Sequence, residues 1–139
     1  MNSDLVSPEL RALIVEDETL IAEELGERLS HLGFSVIAMV DSAEEGIAIA
    51  TRERPDLVLM DIRLKGKKDG VEAAKEIRSQ VDVPIVYLTA YSDQLTVDRV
   101  RGSEHDAFLL KPFQGRELQT TIEVAMRRHA ARRQKKNEI

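Results

Sequence analysis

Short apolar runs alternate along the chain with stretches whose apolar residues recur every three or four positions. "RALIV" (11–15) runs into three acids, after which Leu20, Ile21, Leu25, Leu29 and Leu32 mark the stripe of a helix over 18–32 that Gly33 stops. "FSVIAMV" (34–40) reads as a second strand, and Ser42 with Glu45 has capping-box spacing ahead of a helix to about Arg54. In "LVLMD" (57–61) four apolar residues without alternation predict a strand buried on both faces, and it ends in a carboxylate. A helix over "GVEAAKEIRSQ" (70–80) follows, then a fourth strand, "VPIVYLTA" (83–90), opened by Pro84 where a missing N–H is tolerable. A weaker helical pattern covers 93–102. "AFLLKPF" (107–113) is the fifth strand, and "GRELQTTIEVAMRRHAARRQKK" (115–136) predicts a long final helix with Leu118, Ile122, Ala125 and His129 along one face.

Five strands alternating with five helices argue for an α/β domain whose parallel sheet is covered on both sides. In such open sheets ligands bind outside the carboxyl ends of the strands, near the point where strand order reverses. Glu16 and Asp17 follow the first strand, Asp61 ends the third, Thr89 ends the fourth and Lys111 falls at the end of the fifth, so one edge should gather all five. An unpaired buried charge costs several kcal/mol, so Asp61 needs a partner or a task. Three neighbouring carboxylates resist joint ionisation unless a cation neutralises them. With only oxygen ligands at these positions, Mg²⁺ is preferred over zinc or copper, and Mg²⁺ commonly shares its shell with phosphate oxygens. Lys111 supplies a point charge for such a group, Thr89 a hydroxyl, and Ala90 leaves room beside it. A carboxylate can itself act as nucleophile and form an aspartyl phosphate, and Asp61 is the central candidate.

Composition narrows the classes. At 139 residues, 42% apolar and 32% charged, the chain fits one well-solvated domain with a sizeable core. It has no cysteine, no apolar run approaching the ~20 residues of a membrane span, and an N-terminal "MNSDLVSPEL" without a signal-peptide layout, so a cytoplasmic location is expected. The net charge of −5 is uneven: residues 1–126 hold 14 Lys+Arg against 24 Asp+Glu, whereas 127–139 hold 6 against 1. Basic residues favour a helix C-terminus, and a tail without aromatic residues argues for a solvated helix end over nucleic-acid binding.

"VED" after the first strand, "LMD" at the third, "LTA" at the fourth and "FLLKPF" at the fifth, in this order and spacing, resemble the response-regulator receiver domains of two-component signalling, the CheY-like superfamily. The match spans residues 10–127, leaving 128–139 as a basic helical extension or linker. The resemblance implies a flavodoxin-like (βα)₅ three-layer sandwich with strand order 2-1-3-4-5, and a phospho-accepting switch, not an enzyme. Position by position it makes Asp61 the acceptor of phosphate from a histidine kinase or phosphotransfer protein. Glu16 and Asp17 become the acidic pair holding Mg²⁺, and the backbone carbonyl of Arg63 a further ligand. Thr89 becomes the switch hydroxyl, Phe108 the switch aromatic and Lys111-Pro112 a cis peptide. The surface of the fourth helix, fifth strand and final helix is the one related receivers use for dimers or output contacts, and the output domain is expected outside this chain. Arg63 and Tyr91 match positions that flank the approach of water to the phosphorus.

The chain departs from the commonest receiver pattern in three places: Lys65 replaces a proline in a loop one residue longer before Gly70, Glu16 replaces an aspartate, and "SEHDAF" stands where a Gly-Ala pair is frequent. Read singly, Asp17 is a helix cap, Asp61 a loop start, Thr89 a strand residue, Lys111 a snorkelling side chain and Phe108 plain core. His31, His105 and His129 read as neither ligands nor phosphorelay histidines. Two rival functions are an aspartyl-nucleophile phosphatase, which would want a proton donor where Arg63 stands, and a phosphorylation-independent interaction module, against which the intact site argues.

Overall fold

The computed structural model describes residues 9–90 and 107–137. Five strands, β1 (Leu10–Val15), β2 (Phe34–Val40), β3 (Leu57–Asp61), β4 (Ile85–Thr89) and β5 (Ala107–Leu110), form one parallel sheet in the order β2-β1-β3-β4-β5. Among the described residues four helices accompany them: α1 (Thr19–His31), α2 (Ala43–Glu53), α3 (Gly70–Gln80) and α4 (Gly115–Asn137). The parallel sheet is the one expected from the alternation, and the flavodoxin-like strand order is the one the resemblance implies. The helix expected over 93–102, Tyr91 and His105 lie outside the described residues.

Period-two alternation divides the strand side chains between two cores. Leu13, Val15, Val58, Met60, Ile85 and Tyr87 pack with Ala50, Ala73 and Ile77 of α2 and α3. Ala12, Ile14, Leu57, Leu59, Val86 and Leu88 pack with Leu25 and Leu29 of α1 and Leu118, Ile122 and Ala125 of α4. Both faces of the central strands are therefore apolar, which is why "LVLM" shows no alternation. Each fully buried leucine in these layers contributes about 2 kcal/mol.

Local chemistry sets the element ends. Ser42 accepts from the Glu45 N–H at 3.2 Å and starts α2. Gly33 adopts φ +96 after α1. The N-cap of α1 is Glu18, so Asp17 is free of the capping role it could have had. A full capping box opens α3: Asp69 accepts from the Glu72 N–H at 2.9 Å, and Glu72 accepts from the Asp69 N–H at 3.1 Å. β5 is shorter than the run "AFLLKPF" suggested, because Pro112 has no N–H to extend the ladder. The anticipated apolar face of α4 is buried through His129, whose Nε2 lies 2.9 Å from Asp82 Oδ1. The helix continues without a break through the basic segment, where Arg133 also approaches Asp82, at 3.5 Å.

Gly70 places α3 against the end of β3. Its N–H donates to the Ile62 carbonyl at 2.9 Å, and a Cβ added there would lie 1.9 Å from the Asp61 carbonyl oxygen and 2.9 Å from the Ile62 Cα. Gly66, at φ +108, has nothing within 4 Å of an added Cβ, so there the demand is conformational alone. Gly70→Ala is expected to destabilise the domain by about 3 kcal/mol and Gly66→Ala by about 1 kcal/mol. Urea unfolding of the two variants checks this, and equal losses would mean that close backbone packing is not what Gly70 provides.

Candidate functional site

Strand order reverses between β1 and β3, and the acids sit at the carboxyl ends of those two strands. Parity explains why three side chains converge. Glu16 continues the Ala12-Ile14 face of β1, Asp61 the Leu57-Leu59 face of β3, and Lys111 the Ala107-Leu109 face of β5, all on the α1/α4 side. Their backbones are pinned across the strand ends, with Glu16 N–H donating to the Val40 carbonyl at 2.9 Å and Ile62 N–H to that of Leu88 at 3.0 Å.

Glu16 is 3% exposed and Asp61 4%. Lys111 Nζ lies 2.7 Å from Glu16 Oε1 and 3.4 Å from Asp61 Oδ2. Two backbone N–H groups add partial positive charge: Arg63 donates to Asp61 Oδ1 and Glu18 to Glu16 Oε2, each at 3.1 Å. One ammonium still faces two buried carboxylates, with the half-buried Asp17 close by. Burial first, and then the neighbouring Glu16 carboxylate, push Asp61 from its ordinary 3.8 up to about 7. Burial also works against ionised Glu16, but the hydrogen bond with Asp61, Lys111 and the Glu18 N–H outweigh it and hold Glu16 below its usual range. Desolvation opposes the charge on Lys111, but Glu16 and Asp61 outweigh it and raise its pKa. Asp61 is thus the acid that keeps a proton to higher pH and Glu16 the one that stays ionised to lower pH, and the two titrate as a pair.

Glu16, Asp17 and Asp61 each bring a carboxylate oxygen to within 4.8 Å of the others. Glu16 Oε1 is buried with no well-aligned hydrogen-bond donor, its contact being the ammonium beside it. An all-oxygen, anionic set with an under-satisfied buried oxygen suits a hard divalent cation such as Mg²⁺. Glu16, one methylene longer than aspartate, still reaches the cluster. An open groove of about 300 Å³ runs beside the acids, lined by Thr19, Ala22, Met39 and Asp41 among others.

The remaining predicted residues sit differently. Arg63 enters the cluster through its N–H; a ligand role for its carbonyl stays an expectation of the resemblance. Thr89 is 4% exposed, and its hydroxyl donates to the Ala90 carbonyl at 3.3 Å, while its own carbonyl accepts from the Lys111 N–H at 2.7 Å. Phe108 lies in the opposite core from Asp61, its ring stacked on Tyr87 with centroids 5.4 Å apart and planes at 28°. Tyr87 was not foreseen as part of the site. The one available signal was the β4–β5 register, which pairs Tyr87 with Phe108 directly. The Lys111-Pro112 peptide is cis, as the resemblance implies.

Residues 12–123 match the family model for the response regulator receiver domain. The chain is 40% identical over 118 residues to the transcriptional regulatory protein PdtaR of Mycobacterium tuberculosis, covering 85% of this chain and 57% of that protein. It is likewise 40% identical over 120 residues to the probable transcriptional regulator ycf27 of Porphyridium aerugineum, covering 85% of this chain and 48% of the relative. Among solved structures it superposes with a TM-score of 0.81, at 34% identity, on the signal receiver domain of a modulated diguanylate cyclase from Desulfovibrio desulfuricans, with 90% of this chain and 99% of the other covered. The chain belongs to the response-regulator receiver family. It spans about half the length of the curated relatives it matches.

The proton kept on Asp61 makes stability depend on pH. Because Asp61 has its folded pKa raised from 3.8 to about 7, its protonated form favours folding, and that contribution is lost as pH rises through the folded value. Metal-free protein should therefore lose about 2 kcal/mol between about pH 5 and pH 8. The Asp61→Asn variant should lack that slope, and millimolar Mg²⁺ should abolish it in wild type. Thermal melts across the range provide the check, and parallel slopes for the two proteins would contradict the proton on Asp61.

Proposed function

We propose that this receiver domain accepts a phosphoryl group on Asp61 from the phosphohistidine of a partner kinase or phosphotransfer protein, in a Mg²⁺-dependent step. The observation that carries the reading is the buried Asp61 carboxylate at a strand end, 3.4 Å from the Lys111 ammonium and within 4.8 Å of the Glu16 and Asp17 oxygens. Mg²⁺, held by Glu16, Asp17, Asp61 and the Arg63 carbonyl, supplies charge neutralisation for the phosphoryl oxygens. Asp61, ionised by loss of its proton to solvent, attacks phosphorus through one of its oxygens. As the O–P bond forms, the P–N bond breaks and its electron pair returns to the ring nitrogen. An imidazole that enters protonated on its other nitrogen therefore leaves neutral. Lys111 turns from Glu16 toward a phosphoryl oxygen. The Thr89 hydroxyl leaves the Ala90 carbonyl for another phosphoryl oxygen, and Phe108 responds against Tyr87, altering the surface of β5 and α4.

The rival readings have less support. Arg63, two residues past Asp61, stands where an aspartyl phosphatase wants the carboxyl group of its general acid. A pure interaction module has no need of two buried acids and a lysine. The relatives named as transcriptional regulators make control of gene expression the reading for a longer protein, with the β5/α4 surface as its dimer or output contact. Among the described residues no helix is long and apolar enough to cross a membrane, which accords with a cytoplasmic partner kinase.

Incubation with acetyl phosphate and Mg²⁺ is expected to add one acid-labile phosphoryl group to wild type and none to Asp61→Asn, scored by intact mass. Asp17→Ala should lose at least about tenfold in rate, a barrier change of about 1.4 kcal/mol, while melting no lower than wild type without metal, since removing one crowded carboxylate relieves repulsion. Wild-type labelling of Asp61→Asn would overturn the assignment.

A further inference from the structure

The loop from Ile62 to Asp69 carries Arg63, Lys65, Lys67 and Lys68 against Asp69 alone, a net +3 in a chain whose residues 1–126 sum to −10. It is tied to the acceptor at both ends. On entry, the Arg63 N–H donates to Asp61 Oδ1, and on exit the Gly70 N–H donates to the Ile62 carbonyl while Gly70 packs against the Asp61 carbonyl. Ile62 and Leu64 are buried and fix the loop's inner side, Gly66 turns the tip at φ +108, and Asp69 closes it as the α3 cap. Lys68 is engaged by Glu76 of α3. Lys65 and Lys67 are exposed, and neither makes an ion pair or hydrogen bond with the described residues.

The β1/β2 side of the same strand edge is acidic: Glu16, Asp17 and Glu18 follow β1, and Asp41, Glu44 and Glu45 follow β2. An incoming phosphoryl donor is an anion, so that side repels it. From this juxtaposition we infer that Lys65 and Lys67 form an electrostatic entry for anionic phosphoryl donors, raising the rate of encounter at Asp61 without touching the reacting atoms. The inference rests on Asp61 being the acceptor. It assigns a task to the replacement of proline by Lys65 and to the longer loop. Lys65 and Lys67 stand four and six residues past Asp61 on a loop tied to it at both ends, whereas Lys111, already held by Glu16 and Asp61, serves the group after arrival. Phosphohistidine and small acyl phosphates share the recognised feature, a phosphoryl group with two or more anionic oxygens.

The test measures the second-order rate of Asp61 phosphorylation with Mg²⁺ for wild type, the double variant Lys65→Gln/Lys67→Gln, its charge-reversed form Lys65→Glu/Lys67→Glu, and Lys135→Gln on the last turns of α4 as a control. Acetyl phosphate represents acyl phosphates, and phosphoramidate, with its P–N bond, represents phosphohistidine. At low ionic strength the glutamine pair should lower the rate about three- to tenfold and the glutamate pair further. Near 1 M salt, where the screening length falls to about 3 Å, the variants should converge on wild type. Dephosphorylation rates and melting temperatures should not change. A purely structural role for the loop would instead give a loss that survives high salt and a lowered melting temperature, and that result overturns the inference. Equal low-salt rates for all four proteins overturn it as well. A loss confined to one donor restricts the entry to that donor's class. If wild type is not labelled at Asp61 at all, the acceptor assignment falls first and the inference with it, so the two failures are told apart by the wild-type arm.

Discussion

Two carboxylates buried beside one ammonium form the constraint around which this domain is built. Glu16 and Asp61 arrive on neighbouring strands β1 and β3, and Lys111 reaches them from β5, three positions from β1 with β3 and β4 between. Removing two negative charges from water is penalised heavily, and a single partner does not restore the balance. Nothing local to the site could hold such an arrangement. The ladders do, because the backbone of each strand continues into a hydrogen bond just beyond its acid, and both faces of β1 and β3 are sealed by apolar cores. Apolar packing thus sustains an electrostatic imbalance that a proton relieves, as the raised pKa of Asp61 records.

The same alternation that gathers the charged trio separates it from the residues expected to respond to it. Glu16, Asp61 and Lys111 share the α1/α4 parity, whereas Tyr87, and with it Thr89 two positions on, share the α2/α3 parity, where Phe108 stacks. Contact between the two groups runs through the strand ends. The Lys111 N–H donates to the Thr89 carbonyl at 2.7 Å, so the backbone carrying the charged side chain also carries the hydroxyl's residue. A change of charge at Asp61 that displaces the Lys111 side chain acts on a backbone shared with β4. Tyr87 and Phe108 are stacked, so neither ring can move without leaving the other or carrying it along.

Legibility in the sequence followed the range of the interaction. Strand ends and the acids upon them could be read because βαβ spacing is regular, and Ser42 with Glu45 could be read because the cap is local. Asp69 and Glu72 have the same three-residue spacing and make the fuller capping box, yet "KGKKDG" drew attention as an irregular loop and the cap went unread. Asp17 taken alone suited a cap better than a ligand; its neighbour Glu18 fills the N-cap position instead. Two features had no local signal. The Tyr87–Phe108 stack depends on the register of β4 on β5, and the His129–Asp82 pair joins residues 47 apart across the end of the sheet. The shift of Asp61 could be foreseen in direction from crowding, but Glu16 as the acid that stays ionised could not, because that depends on which carboxylate Lys111 lies nearer.

The basic end of the chain gains a different meaning once its contacts are known. As composition, 127–139 is a solvated run of positive charge. In the fold 127–137 belong to a single helix of about 34 Å that begins four residues after Lys111, at the edge bearing the acids, and passes Asp82 near the amino end of β4. The exposed Arg133–Asp82 pair adds about 0–1 kcal/mol at most. His129 is the stronger attachment, because its ring continues the buried Leu118-Ile122-Ala125 face and directs Nε2 to the same carboxylate. Lys135, in the last turn of the helix, offsets its dipole, so part of the cationic run also stabilises the rod it sits on. A helix fixed at Asp82 and joined at its start to the residue that pairs with Asp61 spans both edges of the sheet as one element. A segment that continued from residue 137 would therefore take its direction from His129 and Leu118, and its linkage to the chemistry from Lys111.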